Sequence, residues 1–252
     1  MAVALHRFPL SHFSEKVRLA LTLKGVEHAL VDHSIGPGQM AVYRLSGQRQ
    51  VPVLERDGDV VHDSTAIAMY LEHAYPPSSG RAALLPLDFT ARREALDLEE
   101  RLDAAFENTT RVVAMHHAMR DARYRRGALR ASSPGIPDLA LRAVGLSAMT
   151  LRLGELLPPA RRAVDDAITS LRATIIELVE RLATRPYLMG DRPGLVDVTA
   201  AGLTLMLEVP EQIPLPDESI KGLGVPEMLN DPELVPFFLW RRRLYRELHG
   251  GA

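Results

Sequence analysis

Among its 252 residues the chain has no cysteine. Disulfides, zinc-thiolate sites, iron–sulfur clusters and a cysteine nucleophile are thereby excluded, so any sulfur chemistry must use the sulfur of a ligand. An excess of charge is also lacking: 30 Lys and Arg nearly cancel 32 Asp and Glu, leaving a net charge of -2. Without a basic tract there is no electrostatic footprint for duplex nucleic acid or for an anionic membrane. No uninterrupted apolar run approaches a membrane span, and the N-terminus lacks the basic-then-apolar pattern of a signal peptide. The expectation is a cytoplasmic protein with neither a nucleic-acid nor a membrane partner. A P-loop, a dinucleotide fingerprint, a nucleophile elbow and an HExxH pair are missing too. His116 and His117 are adjacent and project about 100° apart on a helix, which makes them poor co-ligands, so no metal is expected.

What is present is an ordinary globular composition, 46% apolar and 25% charged, with enough chain for a sizeable core. The first third alternates short β-rich runs with helical patterns. Val3 to His6 reads as a strand, and Glu15 to Leu23 as a helix with Val17, Leu19, Ala20, Leu21 and Leu23 on one face, ended by Gly25. A second strand spans Ala29 to Val31, and Gly36-Pro37-Gly38 leads into a short irregular or helical piece. Val51 to Leu54 and Val60-Val61 flank Asp57-Gly58, a strong hairpin signal, and Ser64 to Glu72 is helical. This order predicts a βαβ unit followed by ββα in a small mixed sheet. Pro76 to Gly80 is turn-rich, giving a first domain over residues 1–76, a linker over 77–90 and an all-helical domain over 91–252. In the second domain a long helix from Ala91 to about Met119 places Ala95, Leu98, Leu102, Ala105 and Val112 on one stripe, with Glu99, Glu100 and Arg101 elsewhere. Between Ala163 and Ala183 the residues Val164, Ile168, Leu171, Ile175, Leu178 and Leu182 form a bundle seam. Asp191 to Gly194 breaks the chain before an apolar helix from Leu195 to Leu207, and a last helix begins near Pro232. Arg120 to Pro159 carries no clear pattern. Arg241-Arg242-Arg243 reads as the solvated face of that last helix.

Three short motifs carry chemistry. Ser11-His12-Phe13-Ser14 lies between the first strand and the first helix, where hydroxyls sit beside unsatisfied backbone N–H groups and the positive end of the helix dipole. Such a place stabilises an anion, a thiolate included, and equally suits a plain N-cap. Pro52 begins a strand; it is either an edge-strand proline or a cis one that turns the backbone of Val51 toward an extended ligand. Asp63-Ser64 opens the third helix as a cap, or as a carboxylate and hydroxyl for a ligand's ammonium and carboxylate groups.

The order and spacing of these motifs resemble the glutathione transferase superfamily over nearly the whole chain. Phe8 to Leu21 looks like the family's first loop and helix, Ser46-Gly47-Gln48-Arg49-Gln50-Val51-Pro52-Val53-Leu54 like its cis-proline segment, and Asp63-Ser64-Thr65-Ala66-Ile67 like its acidic-Ser-x-Ala-Ile motif. Leu188 to Asp197 resembles the family's helix-capping stretch, and the region of Trp240 its final helix. The resemblance implies a thioredoxin-like N-terminal domain followed by an all-helical bundle, and glutathione as cosubstrate. Ser11 would then donate to the glutathione sulfur, with Ser14 the next candidate. Val51 beside Pro52 would pair its backbone with the cysteinyl part, Asp63 and Ser64 would grip the γ-glutamyl end, and Gln50, with Arg49 less securely, would meet the glycyl carboxylate. Phe13, Met115, Met119 and Tyr124 would line the pocket of a small hydrophobic electrophile. A homodimer is implied on the same ground.

The departures are informative. Leu5-His6-Arg7-Phe8 holds no tyrosine, which speaks against a tyrosine-type mechanism, and the serine pair excludes the cysteine-type classes. Asp63 is one methylene shorter than the commoner glutamate. Gly194 stands where the family often has a hydroxyl cap, leaving Asp197 half of a capping box and a structural role. Conjugation and glutathione-assisted isomerisation both remain open. So do use of another small thiol and a noncatalytic binding protein on the same fold.

Overall fold

In the first strand, β1 (Val3–Arg7), Val3, Leu5 and Arg7 are buried while Ala4 and His6 are only half-buried, the two-residue period of a strand between unequal faces. The computed structural model describes residues 2–34, 38–78, 81–133 and 158–250. Gly36 and Pro37 of the expected loop, Ser79 and Gly80 of the expected linker, and Pro134, Gly135 and Pro137 lie outside the described residues. After β1 come α1 (His12–Leu23), β2 (Ala29–Asp32), α2 (Gly38–Ser46), β3 (Val53–Arg56), β4 (Asp59–His62) and α3 (Ser64–Ala74). The sheet order is β2-β1-β3-β4, with β1 and β2 parallel and the other two pairs antiparallel. At the hairpin both Asp57 and Gly58 have positive φ, 51° and 95°, which matches the twist of a tight two-residue turn.

The helical part comprises α4 (Phe89–Glu107), α5 (Thr109–Arg120), α6 (Ala122–Ser132), α7 (Pro158–Leu182), α8 (Leu195–Leu203), a 3-10 turn at Glu218–Ile220, the short α9 (Pro226–Leu229) and α10 (Val235–His249). The helix expected from Ala91 to Met119 is thus two. At the break, Thr109 and Thr110 turn their hydroxyls back to the carbonyls of Ala105 and Phe106, a bond that competes with the helical ladder and bends it. The stripe consequently changes phase: Val113 is buried, and Val112 points outward. Two further expectations are corrected. Arg241 is buried, donating to Ala201 O at 2.9 Å and Glu208 O at 3.0 Å, so only Arg242 and Arg243 face solvent. Glu99, set apart from the apolar stripe on periodicity, is buried as well. The seam of α7 is as expected, with Val164, Leu171, Ile175 and Leu178 inside.

One hydrophobic cluster runs from Val3 and Leu5 through α1, α4 and α7 to Phe237 and Tyr245, crossing the boundary expected between the two domains. Its centre is the contact between α1 and α8. There Gly202 lies so close to α1 that a Cβ on it would stand 2.6 Å from the Lys16 nitrogen and 2.7 Å from the Lys16 Cα. Those are backbone atoms, which cannot swing aside as a side chain can. Gly202→Ala is therefore expected to destabilise by about 1–3 kcal/mol, read as a lower urea midpoint with an unchanged m-value.

The start of α8 is held by Asp197, whose carboxylate accepts from Leu188 N–H at 2.8 Å and Gly194 N–H at 2.9 Å. The other half of a capping box is absent because glycine has no side chain to give, and a Cβ at 194 would meet Leu84 O at 2.9 Å. Burial pushes the Asp197 carboxyl up to about 6, against the pull of these N–H donors. A raised folded-state value means stability that is present below the unfolded value, near 4, and lost as pH rises through 6. The stability advantage of the wild type over Asp197→Asn should shrink by up to about 3 kcal/mol between pH 4 and 7 in parallel urea titrations. An advantage that grew with pH would mean that the donors outweigh burial.

Candidate active site

Strand register alone gathers the three motifs. His6 pairs with Val53 and Val53 with His62, so the exit of β1, the entry of β3 and the exit of β4 share one end of the sheet. The loop bearing Ser11 leaves the first, Val51-Pro52 enters the second, and Asp63-Ser64 follows the third. The Val51–Pro52 peptide bond is cis, and the β3 ladder begins only at Val53.

Ser11 is the N-cap of α1. Its N–H donates to Phe8 O at 2.9 Å and its hydroxyl oxygen accepts from Ser14 N–H at 3.3 Å, so the hydroxyl hydrogen is not used by the cap. The cap and the anion site, alternatives in the sequence, are compatible in one half-buried residue. Ser14 is placed differently: it is 1% exposed, inside the contact face of α1. His12, between them, is buried. Its burial and the positive charge of Arg111 lower its pKa to about 4, so its ring is neutral at pH 7.

Asp63 caps α3, its Oδ1 accepting from Ala66 N–H at 2.8 Å, while Ser64 is buried beside it. The backbone of Asp63 is held at φ 72° and ψ 129°, a region that side-chain-bearing residues rarely occupy. Gln50 and Arg49 are exposed on the approach to β3, and the Arg49 guanidinium lies 5.9 Å from the centroid of the Tyr43 ring.

The expected pocket residues differ in burial. Phe13 is half-buried against the core with its ring 4.5 Å from that of His12, Met115 is 58% exposed, and Met119 is intermediate. Tyr124 is a correction: it is buried in a second cluster with Leu205, Val209 and Ile213, and its hydroxyl donates to Met206 O at 2.7 Å. Burial of an aromatic with its hydroxyl satisfied makes it a core residue. An open depression of about 380 Å³ lies elsewhere, between α4 and α7, lined by Thr90, Arg93, Glu94, Asp97, Leu98, Arg101 and Arg181.

Four residues behind the site escaped the sequence. The Lys16 ammonium is fully buried and meets Asp103 at 2.8 Å, Thr65 at 3.1 Å and Glu99. Thr65 adjoins Ser64, so this cluster ties the helix that starts at Ser11 to the Asp63-Ser64 turn and to α4. Glu99 and Asp103 at i and i+4 were the available signal, being neighbours on one helix face.

A serine at a helix start, a backbone segment beside a cis-proline and a capped acidic turn lie at one end of a four-stranded mixed sheet backed by helices, a thioredoxin-like arrangement. Residues 5–79 match the family model described as glutathione S-transferase, N-terminal domain. Glutathione S-transferase Z2 of Arabidopsis thaliana is 36% identical over 92 residues, 35% of this chain and 39% of that protein. Maleylpyruvate isomerase of a Ralstonia species is 35% identical over 92 residues, 35% of this chain and 42% of its own length. The matched part thus spans well under half of these relatives. The crystal structure of the beta-etherase LigF from Sphingobium sp. strain SYK-6 superposes with a TM-score of 0.68 over 100% of both chains, and at 19% identity this likeness concerns the fold.

The strained φ of Asp63 yields a test that needs no ligand. Asp63→Gly should raise stability by about 1 kcal/mol, since glycine relieves the strain and still caps a helix tolerably, whereas Asp63→Ala should lower it by about 1 kcal/mol. Chemical denaturation of the two variants distinguishes them.

Proposed function

We propose that this protein is a glutathione transferase that activates the glutathione thiol at Ser11 and joins it to a small hydrophobic electrophile. The observation that carries the reading is the Ser11 hydroxyl at the N-terminus of α1, its hydrogen uncommitted, at the sheet end that also holds Val51 and Asp63-Ser64. In this reading Val51 pairs with the cysteinyl main chain, Asp63 and Ser64 hold the γ-glutamyl end, and the side chain of Gln50 meets the glycyl carboxylate. One oxygen of Asp63 serves the helix cap, which leaves the other for an ammonium group.

The energetics suit the task. A free thiol has a pKa of about 8.5. A hydrogen bond to a charged group contributes about 1.5–3 kcal/mol, and a helix N-terminus about 0.3–1 kcal/mol more. At about 1.4 kcal/mol per unit, the two together bring the thiol to about 7 or lower. His12, neutral at pH 7, adds no full positive charge, so the hydroxyl and the helix end do this work. The thiolate then attacks the electrophile, forming a carbon–sulfur bond and either expelling a leaving group or, with a proton taken from solvent, saturating a double bond.

The resemblance to maleylpyruvate isomerase favours a second reading, in which the thiolate adds to an activated double bond, rotation follows, and the carbon–sulfur bond breaks to return glutathione. Ser11 serves both. The proposal includes a cytoplasmic homodimer: Leu87 and Phe89, 89% and 79% exposed just before and at the start of α4, offer apolar surface that a second subunit would cover.

The experiment is a glutathione titration by calorimetry together with thiolate ultraviolet absorbance across pH, for wild type and Ser11→Ala. Bound glutathione should ionise at about pH 7 or lower on the wild type. On Ser11→Ala it should ionise at least about one unit higher, with turnover at pH 7 lowered about tenfold or more and affinity changed little. Binding with no depression of the thiol pKa would mark a noncatalytic binding protein, and absence of binding would point to another thiol.

A further inference from the structure

Between α2 and β3 the main chain is held by a side chain. The carboxamide of Gln48 grips Gln50 twice: its Oε1 accepts from Gln50 N–H at 2.9 Å and its Nε2 donates to Gln50 C=O at 2.8 Å. The two backbone groups have opposite polarity, so a single orientation of the amide satisfies both. Gln48 thereby does for Gln50 what a neighbouring strand does in a ladder. It is tied in turn to the end of α2, where the Ser46 hydroxyl lies 2.9 Å from Val42 O and 3.3 Å from Gln48 O, and Gly47 N–H donates to Tyr43 O at 2.8 Å. Arg49 turns back onto Tyr43. With its N–H and C=O both engaged, Gln50 has its exposed side chain left to offer, one residue before the Val51–Pro52 bond.

We propose that Gln48 is a positioning residue: by holding the Gln50 main chain it aims the Gln50 carboxamide at the terminal carboxylate of a thiol peptide whose cysteinyl part lies along Val51. The inference rests on the glutathione-dependent function proposed above and adds the residue that preorganises its carboxylate end. Ordering Gln50 before the ligand arrives removes that entropic cost from binding. Losing the order that these two solvent-accessible hydrogen bonds impose is expected to cost about three- to tenfold in affinity, or about 0.7–1.4 kcal/mol.

The test compares two ligands, glutathione and γ-glutamylcysteine, which lacks the glycyl carboxylate. Calorimetry on the full chain should show Gln48→Ala binding glutathione about three- to tenfold more weakly than wild type and γ-glutamylcysteine equally well. KM for glutathione should rise by the same factor, kcat should stay within about twofold, and the melting temperature should fall by no more than about 4 °C. Gln48→Glu keeps the acceptor for Gln50 N–H but sets a carboxylate against Gln50 C=O, so it should bind glutathione no better than Gln48→Ala. In a Gln50→Ala background Gln48→Ala should have no further effect. Equal loss for both thiols, or loss for neither, overturns the positioning role while leaving the glutathione reading intact. A wild type that binds neither thiol overturns the glutathione reading, and the role of Gln48 falls with it.

Discussion

The buried ammonium of Lys16 is the interaction on which the rest of the structure depends. Removing a lysine from water is expensive, and the charge is tolerated only because two carboxylates and a hydroxyl surround it. Those partners come from α3 and α4, while the lysine itself belongs to α1. The same residue's backbone is the surface against which Gly202 of α8 closes. At one point on α1, therefore, four helices from both halves of the chain are fixed relative to one another. Stranding such a charge costs about 3–5 kcal/mol, comparable to the net stability of a small domain.

The electrostatics at the start of α1 follow from its neighbours. Glu15 lies in the first turn, where a free carboxylate would compete with a bound anion for the helix N-terminus. It is neutralised in place by Arg18, whose Nε and Nη2 reach its two oxygens at 2.7 and 2.6 Å, and the Arg18 charge holds its carboxyl below the usual range despite burial. Arg18 also donates to His249 Nε2 at 2.6 Å, and His249 Nδ1 in turn donates to Tyr245 O at 3.0 Å. The last helix is thus part of the charge balance at the first. With Glu15 paired and His12 kept neutral, neither side chain opposes the helix end beside Ser11.

The sheet, the hairpin and the three motifs at its end were legible because each rests on local rules: alternation for strands, positive φ at Asp57-Gly58, a proline at a strand entry, hydroxyl or carboxylate caps before helices. The bundle seam of α7 was legible for the same reason, since Leu171, Ile175 and Leu178 follow one period. Glu99 and Arg241 were not, because a charged residue reads as surface unless its partner is known, and their partners lie 83 and 33–40 residues away in sequence. Tyr124 was misplaced on similar grounds: an aromatic among arginines resembles a pocket wall until Met206 O is seen to take its hydroxyl. The break at Asn108 escaped because Thr109 and Thr110 are acceptable in a helix, and only their back-bonding ends the ladder. Local chemistry is written in order along the chain, and long-range pairing is not.

That distinction bears on what the family resemblance can carry. The matched residues 5–79 contain Ser11, Val51, Asp63 and Ser64, yet the groups that hold them in register include Glu99 and Asp103 on α4 and Gly202 on α8. Cut from the helices, the first 79 residues would keep the motifs but leave Lys16 without its carboxylates and expose the apolar flank of α1. The sheet end that carries Ser11, Val51 and Asp63-Ser64 is therefore a property of both halves. Helical residues enter twice, as partners of the buried lysine and as the surface against which α1 closes. In the proposed reading, substitutions on α5 and its neighbours would leave Ser11 in place, provided that the contacts of Lys16 and Gly202 are kept.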